Sequence, residues 1–223
     1  MKDSSGLFGK LGKSCIILIS LVLISGGCFY EEVPAPVISG QYHSPVRPVQ
    51  VSPTPAVVSR PDVPAKWIPT GVTERRWTAI IIHHSATAKG NMAVFDKEHR
   101  EQMHWEGIGY DFVIGNGKGS GDGQVEVTFR WTQQKVGAHV GGTPGNWANK
   151  QGIGICLVGN FNRTHPSWRQ MQSLTKLVSY LQKRYAIPKS RIYGHGTTPG
   201  ARPTDCPGSN FPMARLKANL PAS

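Results

Sequence analysis

The chain has 223 residues, which is enough for one full domain plus a tail and too few for two ordinary domains joined by a linker. Hydrophobic residues make up 39%, so a core can form, whereas four cysteines are too few for a disulfide-stabilised scaffold. Lys and Arg number 25 against 13 Asp and Glu, and the net charge of +12 favours an anionic partner.

The first residues predict an export signal. Three lysines precede an apolar run that ends near Ser25, and this run is well short of the ~20 residues that span a bilayer as a helix. Cys28 follows a serine and two glycines, which resembles the lipobox of bacterial lipoproteins, although Ser25 stands where that box usually has leucine. We therefore expect residues 1–27 to be a lipoprotein-type signal peptide and Cys28 to be lipidated. An ordinary cleaved signal and an uncleaved anchor are the alternatives.

Residues 28–66 form a proline-rich linker by composition. They contain eight prolines and little periodic apolar pattern, so the segment favours extended geometry and cannot bury a core. It is either a spacer that holds a domain away from a membrane or simply a disordered tail, and in both cases the fold is expected to begin near Trp67. Loss of residues 1–27 removes three lysines and one aspartate and leaves a net charge of +10.

The remaining residues, 67–223, predict one α/β domain in which strands and helices alternate. Short apolar or β-branched runs predict strands at 78–83, 109–114, 125–131, 152–158 and 191–194. Asn91 can cap a helix over 92–104, and Ser167 with Gln170 forms a capping-box pattern ahead of a second helix that Pro188 ends. This order predicts a mixed central β-sheet flanked by helices.

Polar side chains with metal-binding chemistry stand at strand ends. His83 and His84 end the first strand, His195 ends the last one, and Cys206 follows in a loop. Two imidazoles and a thiolate are good zinc ligands, and three protein ligands leave a fourth position for water, as in catalytic zinc sites. The spacing alone is a weak signal, because no compact zinc motif is present. The alternative is a buried histidine satisfied by the backbone and an ordinary loop thiol.

Five segments together resemble the zinc-dependent N-acetylmuramoyl-L-alanine amidase family, which includes phage lysozyme-type amidases and the peptidoglycan recognition proteins. They are IIIHHSAT (80–87), GIGYDFVI (107–114), GAHV (137–140), IGICLVGNF (153–161) and YGH…PTDCPG (193–208). They occur in the family's order over nearly the whole domain. The resemblance implies a mixed sheet flanked by helices, Zn²⁺ as cofactor, and cleavage of the amide bond between muramic acid and L-alanine in peptidoglycan.

The same resemblance implies the metal ligands and the catalytic groups. His83, His195 and Cys206 match the zinc-ligand positions, whereas His84 matches a position that is not a ligand. Tyr110 matches a catalytic tyrosine that faces the metal-bound water, with a core aromatic as the alternative. Thr204 matches a position where a hydroxyl can donate to a developing oxyanion but cannot supply positive charge.

Four further residues are candidates for substrate binding. His139 matches a groove histidine of the family, near the metal but not bound to it, where it would support the metal site or contact substrate; an ordinary surface histidine is the alternative. Trp105 and Asn146 lie in loops that could hold a sugar-peptide, or could simply cap the core. The loop between His195 and Cys206 is longer than is usual in the family, and we expect Arg202 in it to meet a substrate carboxylate.

The predicted function is therefore zinc-dependent hydrolysis of the muramoyl–alanine bond by an exported, membrane-anchored lipoprotein that faces the periplasm or the cell exterior. Peptidoglycan or muropeptides are the expected partner, and the membrane is contacted through a lipid anchor at Cys28. The main alternative is a non-catalytic peptidoglycan-binding module, and a zinc peptidase acting on stem peptides is a third possibility. Nucleic acid is not expected as a partner, because the chain has no nucleic-acid-binding motif.

Overall fold

The computed structural model describes residues 63–221. The predicted signal peptide, Cys28 and the linker up to residue 62 lie outside the described residues. Within 63–221, every helix is too short or too polar to cross a bilayer. The chain enters the fold through a 3-10 turn at Ala65–Trp67, and Trp67 is buried in the main core.

Five strands form one mixed sheet, as the sequence predicted. In chain order they are β1 (Ala79–His84), β2 (Phe112–Ile114), β3 (Val125–Val127), β4 (Gly152–Leu157) and β5 (Ile192–Gly194). Their order in the sheet is β3-β2-β4-β1-β5, and only β3 runs antiparallel to its neighbour. The carboxyl ends of the four parallel strands therefore meet at one edge, where sites of open α/β sheets usually lie.

Five helices cover the two faces of this sheet. They are α1 (Met92–Glu101), α2 (Phe129–Thr132), α3 (Trp147–Gln151), α4 (Trp168–Tyr185) and α5 (Met213–Ala218). The side chain of Asn91 caps α1, and the capping box of Ser167 and Gln170 begins α4, both as predicted. Helix α4 ends at Tyr185, and the next residue, Ala186, has a left-handed backbone and lies two residues before Pro188.

The two faces of the sheet carry separate apolar clusters. Strand residues such as Ile80, Ile82 and Ile155 face α4 and pack with its stripe of Leu174, Leu177, Val178 and Leu181. On the other face, Ile81 packs with Ala148 of α3, and Val113 packs with Phe95 of α1. Because successive strand residues alternate between faces, a side chain at a strand end is assigned to one face by its position alone.

The predicted strand over 125–131 was wrong in its second half. The strand ends at Val127, and Phe129–Thr132 forms the short helix α2. Thr128 caps this helix by accepting from the Arg130 amide at 3.2 Å, and its hydroxyl donates to the Tyr110 carbonyl at 2.7 Å. The V-E-V-T-F-R-W pattern alternates as a strand does, so it gives no sign of the change from strand to helix. The change depends on a single N-cap residue, Thr128.

The predicted helix over 92–104 was too long by three residues. Helix α1 ends at Glu101, and His104 has a left-handed backbone with φ of 55°. The carboxylate of Asp96 accepts from the amide of Ile108 at 2.8 Å, which holds the returning chain against the helix. Helices α3 and α5, with five and six residues, were not predicted.

Candidate metal centre

Strand alternation separates the two adjacent histidines at the end of β1. His83 pairs with Cys156 of β4 and shares the face of Ile81, whereas His84 lies on the α4 side. His84 accepts the amide proton of Phe161 on its Nδ1 at 3.1 Å, and its ring packs against the Phe161 ring. One histidine of the pair is thus part of the crevice and the other is a packing residue of the opposite face.

The side chains of His83, His195 and Cys206 come together on the crevice side of the sheet. One ligand atom from each lies within 4.8 Å of the other two. Cys206 Sγ lies 3.6 Å from His83 Nδ1. Tetrahedral zinc with bonds of about 2.1 Å to nitrogen and 2.3 Å to sulfur separates such a pair by about 3.6 Å. The donor set of two imidazoles and one sulfur and this spacing both fit a zinc ion with one position open.

The other ring nitrogen of His83 is held by a second histidine. His83 Nε2 lies 3.1 Å from His139 Nδ1, and His139 Nε2 lies 3.3 Å from the Gly152 carbonyl. The carbonyl can only accept, so His139 carries its proton on Nε2 and accepts on Nδ1. His83 must then donate from Nε2, and its Nδ1 lone pair is left facing Cys206. The structure therefore selects the tautomer of His83 that can bind a metal.

Three residues make room for His139 and hold it. An added Cβ on Gly154 or Gly137 would come within 2.6 Å of the His139 ring, so these positions require glycine. The buried side chain of Asn149 accepts from the amides of His139 and Val140 at 2.8 and 3.0 Å. Glycine within a strand often marks a close approach by another group, and at Gly154 of β4 that group is the His139 ring.

His139 was predicted either to support the metal site or to contact substrate. It is only 7% exposed and its Nδ1 bonds to His83, which favours the first role. We expect His139→Phe, which keeps the ring volume and loses the acceptor, to weaken zinc binding ~10–100-fold. Competition with a chromophoric chelator measures this, and thermal unfolding of the metal-free variant checks that it folds. His139→Gln, whose side-chain carbonyl can still accept a hydrogen bond from His83, should recover part of the zinc affinity. Equal zinc affinity in His139→Phe and the native chain would contradict this role.

Burial keeps the histidines of the centre neutral. Desolvation, together with the neighbouring His139 and His195, lowers the pKa of His83 well below its usual value. Desolvation lowers the pKa of His139 to about 3. Burial also raises the pKa of the Cys206 thiol to about 12, so a bound cation must displace its proton. The centre is thus a neutral donor set in the metal-free protein, and only the Cys206 thiol must lose a proton when a cation binds.

These shifts make the metal-free protein sensitive to acid. A histidine whose pKa is lower in the folded state than in the unfolded state destabilises the fold as the pH falls below the unfolded value of about 6.5. For His139 alone the loss is ~2 kcal/mol between pH 6.5 and 5. Asp111, whose pKa burial raises to about 7, acts in the opposite sense by a comparable amount. Lowered pKa values are also found for four more histidines: His83, His84, His99 and His195. Their combined effect outweighs that of Asp111, so acid destabilises the fold.

We therefore expect the unfolding temperature of the chelator-treated chain to fall by several degrees between pH 7 and pH 5. Circular dichroism at fixed salt measures this. His139→Phe removes one of the titrating groups, so its midpoint should depend less steeply on pH than that of the native chain. A midpoint that rises or stays constant toward pH 5 would show that the buried histidines are not neutral in the folded state.

The two predicted catalytic side chains flank the ligands. The ring of Tyr110 lies 5.1 Å from the ring of His83. Burial and the neighbouring Cys156 and Cys206 raise the pKa of Tyr110 well above 10, so its hydroxyl is a neutral donor. The exposed Thr204 accepts the amide proton of Cys206 on Oγ1 at 3.2 Å, which leaves its own hydroxyl proton free to donate.

The other candidate substrate residues differ in their surroundings. Trp105 is 39% exposed, and its ring lies 4.9 Å from that of His99 at an angle of 60°. The His99 ring in turn lies 5.7 Å from that of Tyr110. Asn146 accepts from Asn149 Nδ2 at 2.6 Å, so its side chain supports the segment that carries His139. The backbone of Arg202 bonds to Gly141, and within 63–221 its exposed guanidinium forms no ion pair.

Sequence patterns missed two polar residues beneath the site. Asn149 supports the His139 segment, and nothing in the pattern W-A-N-K-Q distinguishes it from a loop amide. Asp111 is fully buried and accepts from the Gly154 amide at 2.8 Å, which ties β2 to the glycine under the His139 ring. Its place between Tyr110 and Phe112 in an apolar strand was the available signal, because a carboxylate there must be bonded.

Comparison with known proteins agrees with this geometry. The N-acetylmuramoyl-L-alanine amidase family (Amidase_2) matches residues 73–209. Peptidoglycan-recognition protein SC2 of Drosophila melanogaster is 32% identical over 143 residues, 59% of this chain and 68% of that protein. Peptidoglycan-recognition protein 2 of Holotrichia diomphalia is 28% identical and matches 63% of this chain and 80% of its own length.

A solved structure shows the same fold. The N-acetylmuramoyl-L-alanine amidase LysC from Clostridium intestinale aligns with a TM-score of 0.56 and 32% identity over 67% of this chain and 88% of its own. The family match extends from the segment before β1 to the loop after Cys206, so it includes every candidate ligand. The chain belongs to the N-acetylmuramoyl-L-alanine amidase family.

Proposed function

We propose that this protein is a zinc-dependent N-acetylmuramoyl-L-alanine amidase that hydrolyses the amide bond between muramic acid and L-alanine. The observation that carries the proposal is the convergence of His83, His195 and Cys206, with ligand atoms within 4.8 Å of one another. The bond between His83 and His139 adds to it, because it presents Nδ1 of His83 to the site. A module that only binds the wall needs neither the three donors nor a fixed tautomer.

The roles of the chain's residues follow from their chemistry. His83, His195 and Cys206 would hold zinc, which when bound polarises a carbonyl and lowers the pKa of a water to about 7. Tyr110 donates a hydrogen bond from a phenol that stays protonated at neutral pH. Thr204 donates a second one from the rim, and both serve the oxyanion that develops on the lactyl carbonyl.

Substrate recognition is proposed to use charge and one aromatic ring. Peptidoglycan stems carry carboxylates, and the exposed guanidinium of Arg202 can bind a carboxylate with two parallel hydrogen bonds. The exposed ring of Trp105 can pack against a sugar or an apolar stem side chain. The net charge of +10 without residues 1–27 raises the encounter rate with such a polyanion.

The site of action is proposed from the sequence. A basic start, a short apolar run and Cys28 after small residues favour an exported lipoprotein that acts outside the cytoplasm. The proline-rich stretch 28–66 is then the tether between the lipid and the folded domain.

The decisive experiment digests purified peptidoglycan with the full chain, with and without a chelator, and identifies products by mass. The amidase yields peptides that begin with L-alanine and glycans with a free lactyl carboxylate, and the chelator stops both. Zinc binding with no product would favour the non-catalytic peptidoglycan-binding module. Cleavage within the stem peptide would favour a peptidase.

A further inference from the structure

The edge of the sheet opposite the candidate metal centre is strongly basic. The segments that lead into β1, β4 and β5, together with the last turn of α4, share this edge because three parallel strands begin there. Besides Arg184, they carry six basic residues: Arg75, Arg76, Lys150, Lys183, Lys189 and Arg191. The acid in these segments, Glu74, bonds to Arg184 and Tyr185. We call this surface the amino-end face.

A hollow of about 480 Å³ opens on the amino-end face. It is lined by Arg76, Thr78, Gln151 and Arg191. Arg191 is oriented by bonds to the carbonyl and the hydroxyl of Thr78 at 2.7 and 3.1 Å, and its guanidinium lies over the Trp147 ring. Two guanidinium groups that line one hollow, beside a hydroxyl and an amide, can donate several hydrogen bonds to the oxygens of a phosphate.

This hollow is separate from the candidate active site. The six residues of β1 lie between them, which at 3.3 Å per residue is about 20 Å. The groups on either side of a scissile bond held over His83 lie too far away to contact Arg76, so the charge of the amino-end face is not explained by recognition of that bond. It calls for a second anionic partner.

We propose that the amino-end face docks on an anionic phospholipid bilayer, with a lipid phosphate in the hollow between Arg76 and Arg191. A bilayer offers many phosphates in one plane, and six basic residues spread over one sheet edge match a plane better than they match a single small ligand. The sequence before residue 29, with its lysines, apolar run and Cys28, favours the same partner. Docking in this way turns the carboxyl edge, with the metal centre, away from the lipid.

The test is sedimentation of the full chain with vesicles. One set contains one third phosphatidylglycerol in phosphatidylcholine, and the other is pure phosphatidylcholine, which reports binding through the apolar N-terminal run alone. We expect tighter binding to the anionic set, weakened by added salt. Arg76→Glu combined with Lys150→Glu should weaken that binding at least tenfold and leave the neutral set unchanged. Both side chains are exposed and form no bond within residues 63–221, so the fold should persist.

Lys118→Glu combined with Arg163→Glu is the matched control, because it makes the same change in charge with two exposed side chains near the carboxyl edge. It should bind anionic vesicles within twofold of the native chain. Native binding by Arg76→Glu/Lys150→Glu, or an equal loss in both double variants, would overturn the proposal. Turnover of a soluble muropeptide by Arg76→Glu/Lys150→Glu should equal that of the native chain, so this test does not depend on the proposed amidase activity.

Discussion

Replacing Cys206 by serine is expected to remove bound zinc and to lower kcat/KM on muropeptides at least ~10³-fold. The thiol sulfur lies 3.6 Å from His83 Nδ1, and the His84 amide lies 3.4 Å from it as a donor that would stabilise the thiolate once a cation displaces the proton. A serine hydroxyl is a harder and less acidic donor, and two imidazoles alone leave zinc with too few protein ligands. Zinc per chain, measured by atomic emission, and product formation should fall together.

Cys156→Ser is the control for this change. Cys156 is also a free thiol and pairs with His83 across β1 and β4, but it is fully buried and lies outside the group of three candidate ligands. It should keep one zinc per chain. Retention of zinc by Cys206→Ser, or its loss from Cys156→Ser, would show that the ligand set has been assigned incorrectly.

The parts of the fold that the sequence predicted are those in which one local pattern decides the structure. The apolar run of β1, the glycine-rich β4 and the capped stripe of α4 each carry their own signal. Helix α2 carries only the N-cap residue Thr128 as a signal, because V-E-V-T-F-R-W otherwise alternates like a strand. The buried Arg130 holds the turn by donating to the carbonyls of Ile108 and Val136, and both acceptors lie outside that stretch of sequence.

The candidate site likewise contains residues that the sequence predicted and contacts that it did not. His83, His195 and Cys206 were predicted because each follows or ends a strand and because the surrounding segments resemble a known family. The alternation of β1 then explains why His83 faces the crevice and His84 does not. That His139 bonds to His83 itself was not predictable, because the contact joins a strand and a loop that are far apart in the sequence. The bond of Asn146 to Asn149 is local, but nothing in the sequence distinguishes it from other contacts of a loop amide.

Tyr110→Phe is expected to lower kcat ~10²–10³-fold while leaving zinc content and KM nearly unchanged. The phenol is buried beside His83, and removing its hydroxyl takes away one donor to the oxyanion without touching a ligand atom. Steady-state kinetics on a soluble muropeptide, with zinc content measured on the same sample, separate the two effects. A variant with the native rate would remove Tyr110 from the reaction.

The pH profile distinguishes a hydrogen-bond donor from a proton carrier. Because burial raises the pKa of Tyr110 well above 10, the phenol remains protonated throughout the range in which the protein is folded and active. The ratio of native to Tyr110→Phe rates should therefore be constant between pH 6 and 9. A ratio that changes tenfold over this range would mean that the phenol gains or loses its proton during turnover, and the donor role would have to be replaced by general acid–base catalysis.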